Sequence, residues 1–397
     1  MSWRERFPGA TEAEWNDWRW QLRHALRTPE ALSRIVDLTS AEQRGLARPG
    51  RLRVGTTPYY ASLMDGQHAH CPIRRQVIPV EDEGVLAEGI LRDPLGEDRT
   101  RPVRAVVHRY PDRALFLATD TCQVYCRHCT RRRITGGEER PFDRAAAEEG
   151  IGYVRAHPEI RDVIVSGGDP LVLDDDWLAW LLGKLRAVPH VEILRLATRA
   201  LATCPMRVDT ALARLLRQVK PLFVITQFNH PKECTLRAQE ACELLVDQGV
   251  PVENQTVLLR RINSSARTIA CLNQRLLSWR VRPYYLHQGD LAEDTNHLRT
   301  PLACGIGILE SLRGHTSGLA VPHLAVDLPG GGGKVTLQPN YLLGGKPAES
   351  RACGAGTWFR NYRGEPYFYP EPTETDCNCP YDEIFFAGAD RSTRRGA

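Results

Sequence analysis

The chain has 397 residues, 42% of them hydrophobic and 25% charged, with 52 basic against 48 acidic side chains and a formal net charge of +4. That is enough chain for a large core in an ordinary globular enzyme. So small a net charge argues against a nucleic-acid footprint and leaves the arginine-rich stretches as local anion sites.

No stretch approaches the roughly 18 apolar residues of a spanning helix, and residues 1–8 hold no apolar signal core. A cytoplasmic protein without membrane association is therefore expected, its twelve cysteines serving as metal ligands and buried thiols.

Residues 1–105 open with a tryptophan-studded helical pattern at Trp3, Trp15, Trp18 and Trp20, followed by loops around Pro58, Pro72 and Pro79. They read as a helical lid or oligomer surface with no chemistry of their own. The next region, 106–341, changes to short β-rich runs alternating with longer amphipathic ones. This is the pattern of βα units around a parallel sheet. Strands are expected at 115–119, 162–166, 192–197, 222–226, 252–258 and 282–286. Helices are expected near 143–157, 174–186, 208–219, 235–248, 266–279 and 302–313. The fold class is α/β, a partial six-unit barrel of the TIM type, followed by an irregular extension, 342–397, suited to an oligomerisation arm.

The polar motifs fall at the C-terminal ends of these strands, where barrel enzymes keep their active sites. Just before the first strand, His108-Arg109-Tyr110-Pro111-Asp112-Arg113 brings together two guanidinium groups and a phenol, a set suited to bidentate phosphate binding or to a solvated arginine pair. After the first strand come Cys122, Cys126 and Cys129 in a CxxxCxxC run, with Arg127 and His128 between them and Arg131, Arg132 and Arg133 behind. A cubane iron–sulfur cluster takes four thiolates, so three in close spacing leave one corner open for a ligand. Buried structural thiols, or zinc completed by His128, fit this polar, cationic segment less well. The surrounding positive charge is expected to lower the thiol pKa values and favour the ligating form.

Ser166-Gly167-Gly168-Asp169 follows the second strand, where glycines allow close backbone approach to a ligand's polar groups. Thr198-Arg199, Asn229-His230-Pro231 and Asp290 follow the third, fourth and sixth strands. Beyond them, Pro329-Gly330-Gly331-Gly332-Gly333-Lys334 is not a phosphate P-loop, because Leu328 stands where the first glycine belongs and Val335 follows the lysine. It reads instead as a lysine on a closely approached loop, available to a carbonyl cofactor. Asp290 and Asp327 are isolated acids near strand ends, and buried acids need cationic partners.

These motifs resemble those of the lysine 2,3-aminomutase family of radical S-adenosylmethionine enzymes. The resemblance runs from Cys71-Pro-Ile-Arg-Arg-Gln76 to Tyr341 and includes Phe228–Pro231, Arg282-Pro-Tyr-Tyr285 and His297-Leu-Arg-Thr-Pro301. It implies a radical S-adenosylmethionine barrel in which Cys122, Cys126 and Cys129 hold a [4Fe–4S] cluster. S-adenosylmethionine would sit on the open iron near Gly167, Gly168, Asp169 and Gln255. Pyridoxal 5'-phosphate would be joined to Lys334, its phosphate held by Arg109, Tyr110 and Arg113.

The resemblance further implies that Arg131 meets the substrate carboxylate while Asp290 and Asp327 clamp the distal ammonium of L-lysine, whose α-amino group moves to the β-carbon through radical chemistry to give β-lysine. Arginine is the alternative substrate. A small electron carrier such as flavodoxin or ferredoxin would supply the electron, and the chain would form a homo-oligomer. Other readings are the shorter relative that makes β-lysine for elongation factor P, which the long tail disfavours, and a non-catalytic iron–sulfur electron carrier, which leaves Lys334 and the acid pair unexplained.

The chain departs from the family at two places. At the zinc motif the resemblance places in the tail, the chain has only Cys377-Asn-Cys379 followed by Pro380-Tyr381-Asp382, with Ser265 at the remote ligand position, which weakens the case for structural zinc. Gln227 stands where relatives often have histidine.

Overall fold

Alternation within the strands decides how the sheet is built. In the segment Asp162–Gly167 the even positions Asp162, Ile164 and Ser166 face a central cavity, while Val163 and Val165 are fully buried on the other side. In Ile193–Thr198 the cavity takes Arg195 and Ala197, and Leu194 and Leu196 go outward into the core. A period of two puts successive side chains on opposite faces, so each strand has one apolar face to cover. Helices cover it, and each fully buried leucine adds about 1.5–3 kcal/mol of burial free energy.

The computed structural model describes residues 3–50, 52–85, 87–135, 142–344 and 356–370. Nine strands form one sheet in sequence order: β1 (Val106–Tyr110), β2 (Arg113–Thr119), β3 (Asp162–Gly167), β4 (Ile193–Thr198), β5 (Leu222–Thr226), β6 (Val252–Leu258), β7 (Arg282–Gln288), β8 (His323–Leu328) and β9 (Gly333–Leu337). Strands β2 to β8 are parallel, and β1 and β9 flank them antiparallel. The six expected strands are β2 to β7.

Short helices α1 (Trp3–Arg6), α2 (Glu12–Trp15), α3 (Trp18–Arg23), α4 (Pro29–Ser33), α5 (Ser40–Ala47) and α6 (Pro58–Ser62) precede the sheet. The crossover helices are α7 (Arg144–Ala156), α8 (Asp175–Arg186), α10 (Thr210–Gln218), α11 (Leu236–Asp247), α12 (Ala266–Ser278) and α13 (Leu302–Leu312), with a single-turn α9 (Ala200–Thr203) after β4. Each of the six lies where amphipathic periodicity places it. Several begin at acidic N-caps: Asp143, Asp174 and Asp209 each accept a backbone N–H from the first turn.

By contact the chain divides into two units, Met1–Pro339 and Asn340–Ala397. The first contains the sheet and the helices around it. Its tryptophans are not a surface feature: Trp3 stacks on Trp15 at 4.5 Å between ring centres, and Trp15, Trp18 and Trp20 are buried in a cluster that also contains Val124, Cys204 and Met206 from the exits of β2 and β4. The N-terminal helices thus pack onto the strand-exit end of the barrel. In the second unit the described part is a hairpin, β10 (Gly356–Arg360) paired antiparallel with β11 (Pro366–Pro370). Cys377 and Cys379 lie outside the described residues. Among those described, no helix is long and apolar enough to cross a membrane.

Three strands of the sheet, β1, β8 and β9, are additions to the sequence reading. The motif expected just before the first strand is itself strand β1, hairpinned onto β2, and Lys334, expected on a loop, stands on β9 directly opposite Asp327 of β8. The sheet runs from β1 to β9, and side chains bridge its two ends. The Tyr110 hydroxyl accepts the Lys334 backbone N–H at 2.9 Å, and Arg109 Nη2 donates to Asp327 Oδ1 at 3.1 Å.

Candidate active site

The inward faces of the strands enclose a cavity of about 690 Å³, within the range of sites that bury small-molecule ligands. Cys122, Cys126, Cys129, Arg131, Gly167, Gly168, Asp169, Gln255, Asp290, Asp327, Lys334, Arg109, Tyr110 and Arg113 all line it. Strand ends that are remote in sequence therefore bring every expected site residue to one space. His108 of the same motif does not join them. Alternation along β1 points it outward, where its Nδ1 lies 3.0 Å from the Tyr153 hydroxyl of α7.

At the thiol end, the loop after β2 rests on the loop after β3. Gly167 has φ 128°, and a Cβ there would fall 2.2 Å from the Thr119 carbonyl oxygen; at Gly168 it would fall 2.2 Å from that of Thr121. Only glycine fits, because the Gly168 and Asp169 N–H groups donate to those same two carbonyls at 2.6 and 2.8 Å. The glycines thus seat the cysteine loop itself. Asp169 is fully engaged: Oδ1 accepts from Thr198 Oγ1 at 2.7 Å and from the Leu171 N–H at 3.0 Å, and Oδ2 accepts the Arg199 N–H at 2.7 Å. Burial nevertheless raises its pKa.

The expectation that flanking cations lower the thiol pKa values is not met. Burial raises Cys122 well above the ordinary thiol value, and raises Cys126 as well. The reason is where the cations go. Arg127 turns into the interior to pair with Glu83, Arg132 reaches Glu83 and Asp294, Arg133 pairs with Asp98, and burial keeps His128 neutral. Among the described residues, the cation that does touch one of these three thiols is Arg199, from the end of β4, with Nη1 2.7 Å from Cys126 Sγ. Its position after a strand was visible in the sequence, but its target was not. Tyr60 and Gln76, from a region read as carrying no chemistry, also reach Arg199. The signal for Gln76 was its place at the end of the Cys71–Gln76 run.

At the lysine end, charges meet across the seam between β1 and β9. Lys334 Nζ donates to Asp327 Oδ2 at 2.6 Å and lies 3.3 Å from His287 Nδ1. Burial and the neighbouring ammonium depress the His287 pKa to about 3, so this imidazole is neutral. Arg113 and Arg109 both lie over the Tyr110 ring, at 4.2 and 4.8 Å from its centre. Arg131 Nε donates to Glu97 at 2.8 Å.

Asp290, just past β7, differs from these. Among the described residues its carboxylate has no hydrogen-bond or ion-pair partner. Burial, then the nearby Asp327 charge, push its pKa up to about 7.

Some cavity-lining polar atoms are also left over. His128 Nδ1, Thr226 Oγ1 and Gln288 Oε1 are buried without a partner, and buried polar groups normally have one. Three free thiols at one end, a lysine beside two guanidinium groups at the other and unfilled polar atoms between are a donor set suited to polar cofactors. Among the described residues no three His, Cys, Asp or Glu side chains converge on a single-ion site.

Comparison with known proteins identifies the family. A family model described as lysine-2,3-aminomutase matches residues 309–395. An L-lysine 2,3-aminomutase of Fusobacterium nucleatum is 45% identical over 381 residues, covering 96% of this chain and 88% of the relative. One from Clostridium subterminale is 43% identical over 378 residues, covering 94% and 89%. A glutamate 2,3-aminomutase of Clostridioides difficile is 42% identical over 334 residues, covering 84% and 79%. With relatives this similar over nearly its full length, the chain belongs to the lysine 2,3-aminomutase family and is an isomerase.

Proposed function

We propose that this enzyme moves the α-amino group of L-lysine to the β-carbon, giving β-lysine, with a [4Fe–4S] cluster, S-adenosylmethionine and pyridoxal 5'-phosphate as cofactors. The observation that carries the substrate is Asp290: a half-buried carboxylate without a cationic partner among the described residues, in the same cavity as Asp327. An ammonium group arriving from the substrate supplies the missing charge. A substrate ending in a carboxylate would instead place a third anion beside these two, at a cost of several kcal/mol in a desolvated site.

The donor set fits the cofactors. Cys122, Cys126 and Cys129 would hold the cluster, each on a different iron, which does not call for convergence on one ion. Gly167, Gly168, Asp169 and Gln255 line the adjoining stretch of cavity, where S-adenosylmethionine would lie, and Lys334 with Arg109, Tyr110 and Arg113 would hold pyridoxal phosphate. When bound, these groups supply a radical initiator and a conjugated system that stabilises an unpaired electron.

The chain's own residues do the rest. Arg131, steadied by Glu97, presents a guanidinium to the substrate carboxylate. Asp327 and neutral His287 flank Lys334 Nζ and hold it in one place for reaction with a carbonyl. Asp290 and Asp327 fix the far end of the substrate and so set which carbon faces the reacting groups.

The test is anaerobic reconstitution with iron, sulfide, pyridoxal phosphate and S-adenosylmethionine, followed by mass-spectrometric comparison of lysine, arginine and glutamate as substrates. β-Lysine as the main product is expected. A β-amino product from glutamate alone would overturn the reading of the acid pair. Arginine as the better substrate would keep the mechanism and change the substrate.

A further inference from the structure

We infer that Arg199 is a positioning residue that acts through Cys126 Sγ to set the reduction potential of the metal cluster, with Glu233 as the opposing charge; this rests on the cluster assignment proposed above. The guanidinium divides its partners unevenly. Nη2 donates to Tyr60 Oη at 2.8 Å, Gln76 Oε1 at 2.5 Å and Glu233 Oε1 at 2.6 Å, while Nη1 is directed at Cys126 Sγ alone.

A structural ion pair is already complete at Nη2. The remaining nitrogen is aimed by that frame at sulfur, and the backbone N–H of Arg199 is fixed in turn by Asp169. The frame is buried: Glu233 is 0% exposed and receives Tyr60 Oη, and Gln76, also 0% exposed, accepts from Asn229 Nδ2 at 2.8 Å. Among the described residues, neither Cys122 nor Cys129 has a cation within hydrogen-bond distance.

Hydrogen bonds and positive charge at a ligating sulfur stabilise the reduced, more negative cluster and raise its potential. Burial strengthens the effect, since little water screens the charge. Glu233 acts in the opposite sense, its carboxylate offsetting part of the guanidinium charge. Removing either partner therefore moves the potential in opposite directions, a signature that loss of packing does not produce.

The experiment is an EPR-monitored redox titration of the full chain, reconstituted with iron and sulfide and without S-adenosylmethionine. Arg199→Met is expected to lower the midpoint so that the reduced-to-oxidised ratio at the wild-type midpoint falls about tenfold, which for one electron is about 59 mV. Glu233→Gln is expected to raise it. Arg199→Lys, which keeps the charge but loses the planar fork, should give a smaller fall and carries the test if Arg199→Met does not hold a cluster. Unchanged midpoints, or shifts of both Arg199 and Glu233 variants in the same direction, overturn the inference. A wild-type chain that takes up no cluster overturns the cluster assignment and this inference with it, whereas a wild-type cluster with unmoved variant potentials overturns this inference alone.

Discussion

The two ends of the cavity are built on opposite principles. Around the thiols, each charged side chain has its protein partners: Asp169 is triply hydrogen-bonded, Arg199 has four acceptors and Arg127 is locked to Glu83. Around Lys334 the charges are only partly matched, with Asp290 left alone and Asp327 shared between Arg109 and Lys334. The first arrangement suits a prosthetic group that stays and must be held in one geometry. The second suits a ligand that comes and goes, because unmatched charge becomes binding energy on arrival.

That contrast can be broken most directly at Lys334. Lys334→Ala is expected to abolish both pyridoxal-type absorbance and turnover while leaving the iron content unchanged, since its partners Asp327, His287 and Tyr110 all belong to the lysine end. Absorbance and turnover that survive would remove the lysine from the reaction. Iron lost along with them would show that the two ends are not independent.

A smaller effect is expected from Gly168→Ala. The new Cβ would meet the Thr121 carbonyl oxygen at 2.2 Å, and overpacking against backbone costs about 1–3 kcal/mol. Lower thermal stability and reduced iron per chain should result, measured by melting and metal analysis. A variant that binds iron like the wild type would show that the cysteine loop does not depend on its glycine seat.

The mildest test is pH. Asp290 must be ionised to attract an ammonium, and its pKa stands at about 7, while the ε-amino group of lysine remains charged well above that. For the loaded enzyme, kcat/KM for lysine should therefore rise about tenfold per pH unit below 7 and level off above it. Asp290→Asn should lose this limb. The same shift predicts a stability effect of definite sign: with its folded pKa above the unfolded value, wild-type Asp290 costs stability as pH rises from about 4 to 7. The melting temperature of the asparagine variant relative to the wild type should accordingly be higher at pH 8 than at pH 4.

Much of this was legible in the sequence because it depends on local pattern. Strands β2 to β7 and their six crossover helices follow from short apolar runs alternating with amphipathic ones, and the parallel sheet then forces their exit loops together. Strand β9 escaped because Gly333 opens it inside a glycine run, which masks strand propensity. Strand β1 escaped because three of its five residues are His108, Arg109 and Tyr110, which read as a polar motif. What sequence did not reveal was pairing at long range. Arg127 looked like a cation beside the thiols, but its acid lies 44 positions away at Glu83, and Arg199, 73 positions from Cys126, supplies the contact instead.

The way the barrel ends has a further consequence. Because β1 and β9 terminate the sheet, both are edge strands, and an unpaired edge is where sheets recruit foreign strands. Here the latch across the gap consists of Arg109, Tyr110, Asp327 and Lys334, the residues assigned to the pyridoxal cofactor and the substrate. Occupying the site would therefore also fasten the sheet, and backbone hydrogen exchange along both edges should slow when pyridoxal phosphate is added. On the proposed cofactor assignment an empty enzyme would be the more aggregation-prone form, and cofactor supply would bear on the lifetime of the protein as well as on its chemistry.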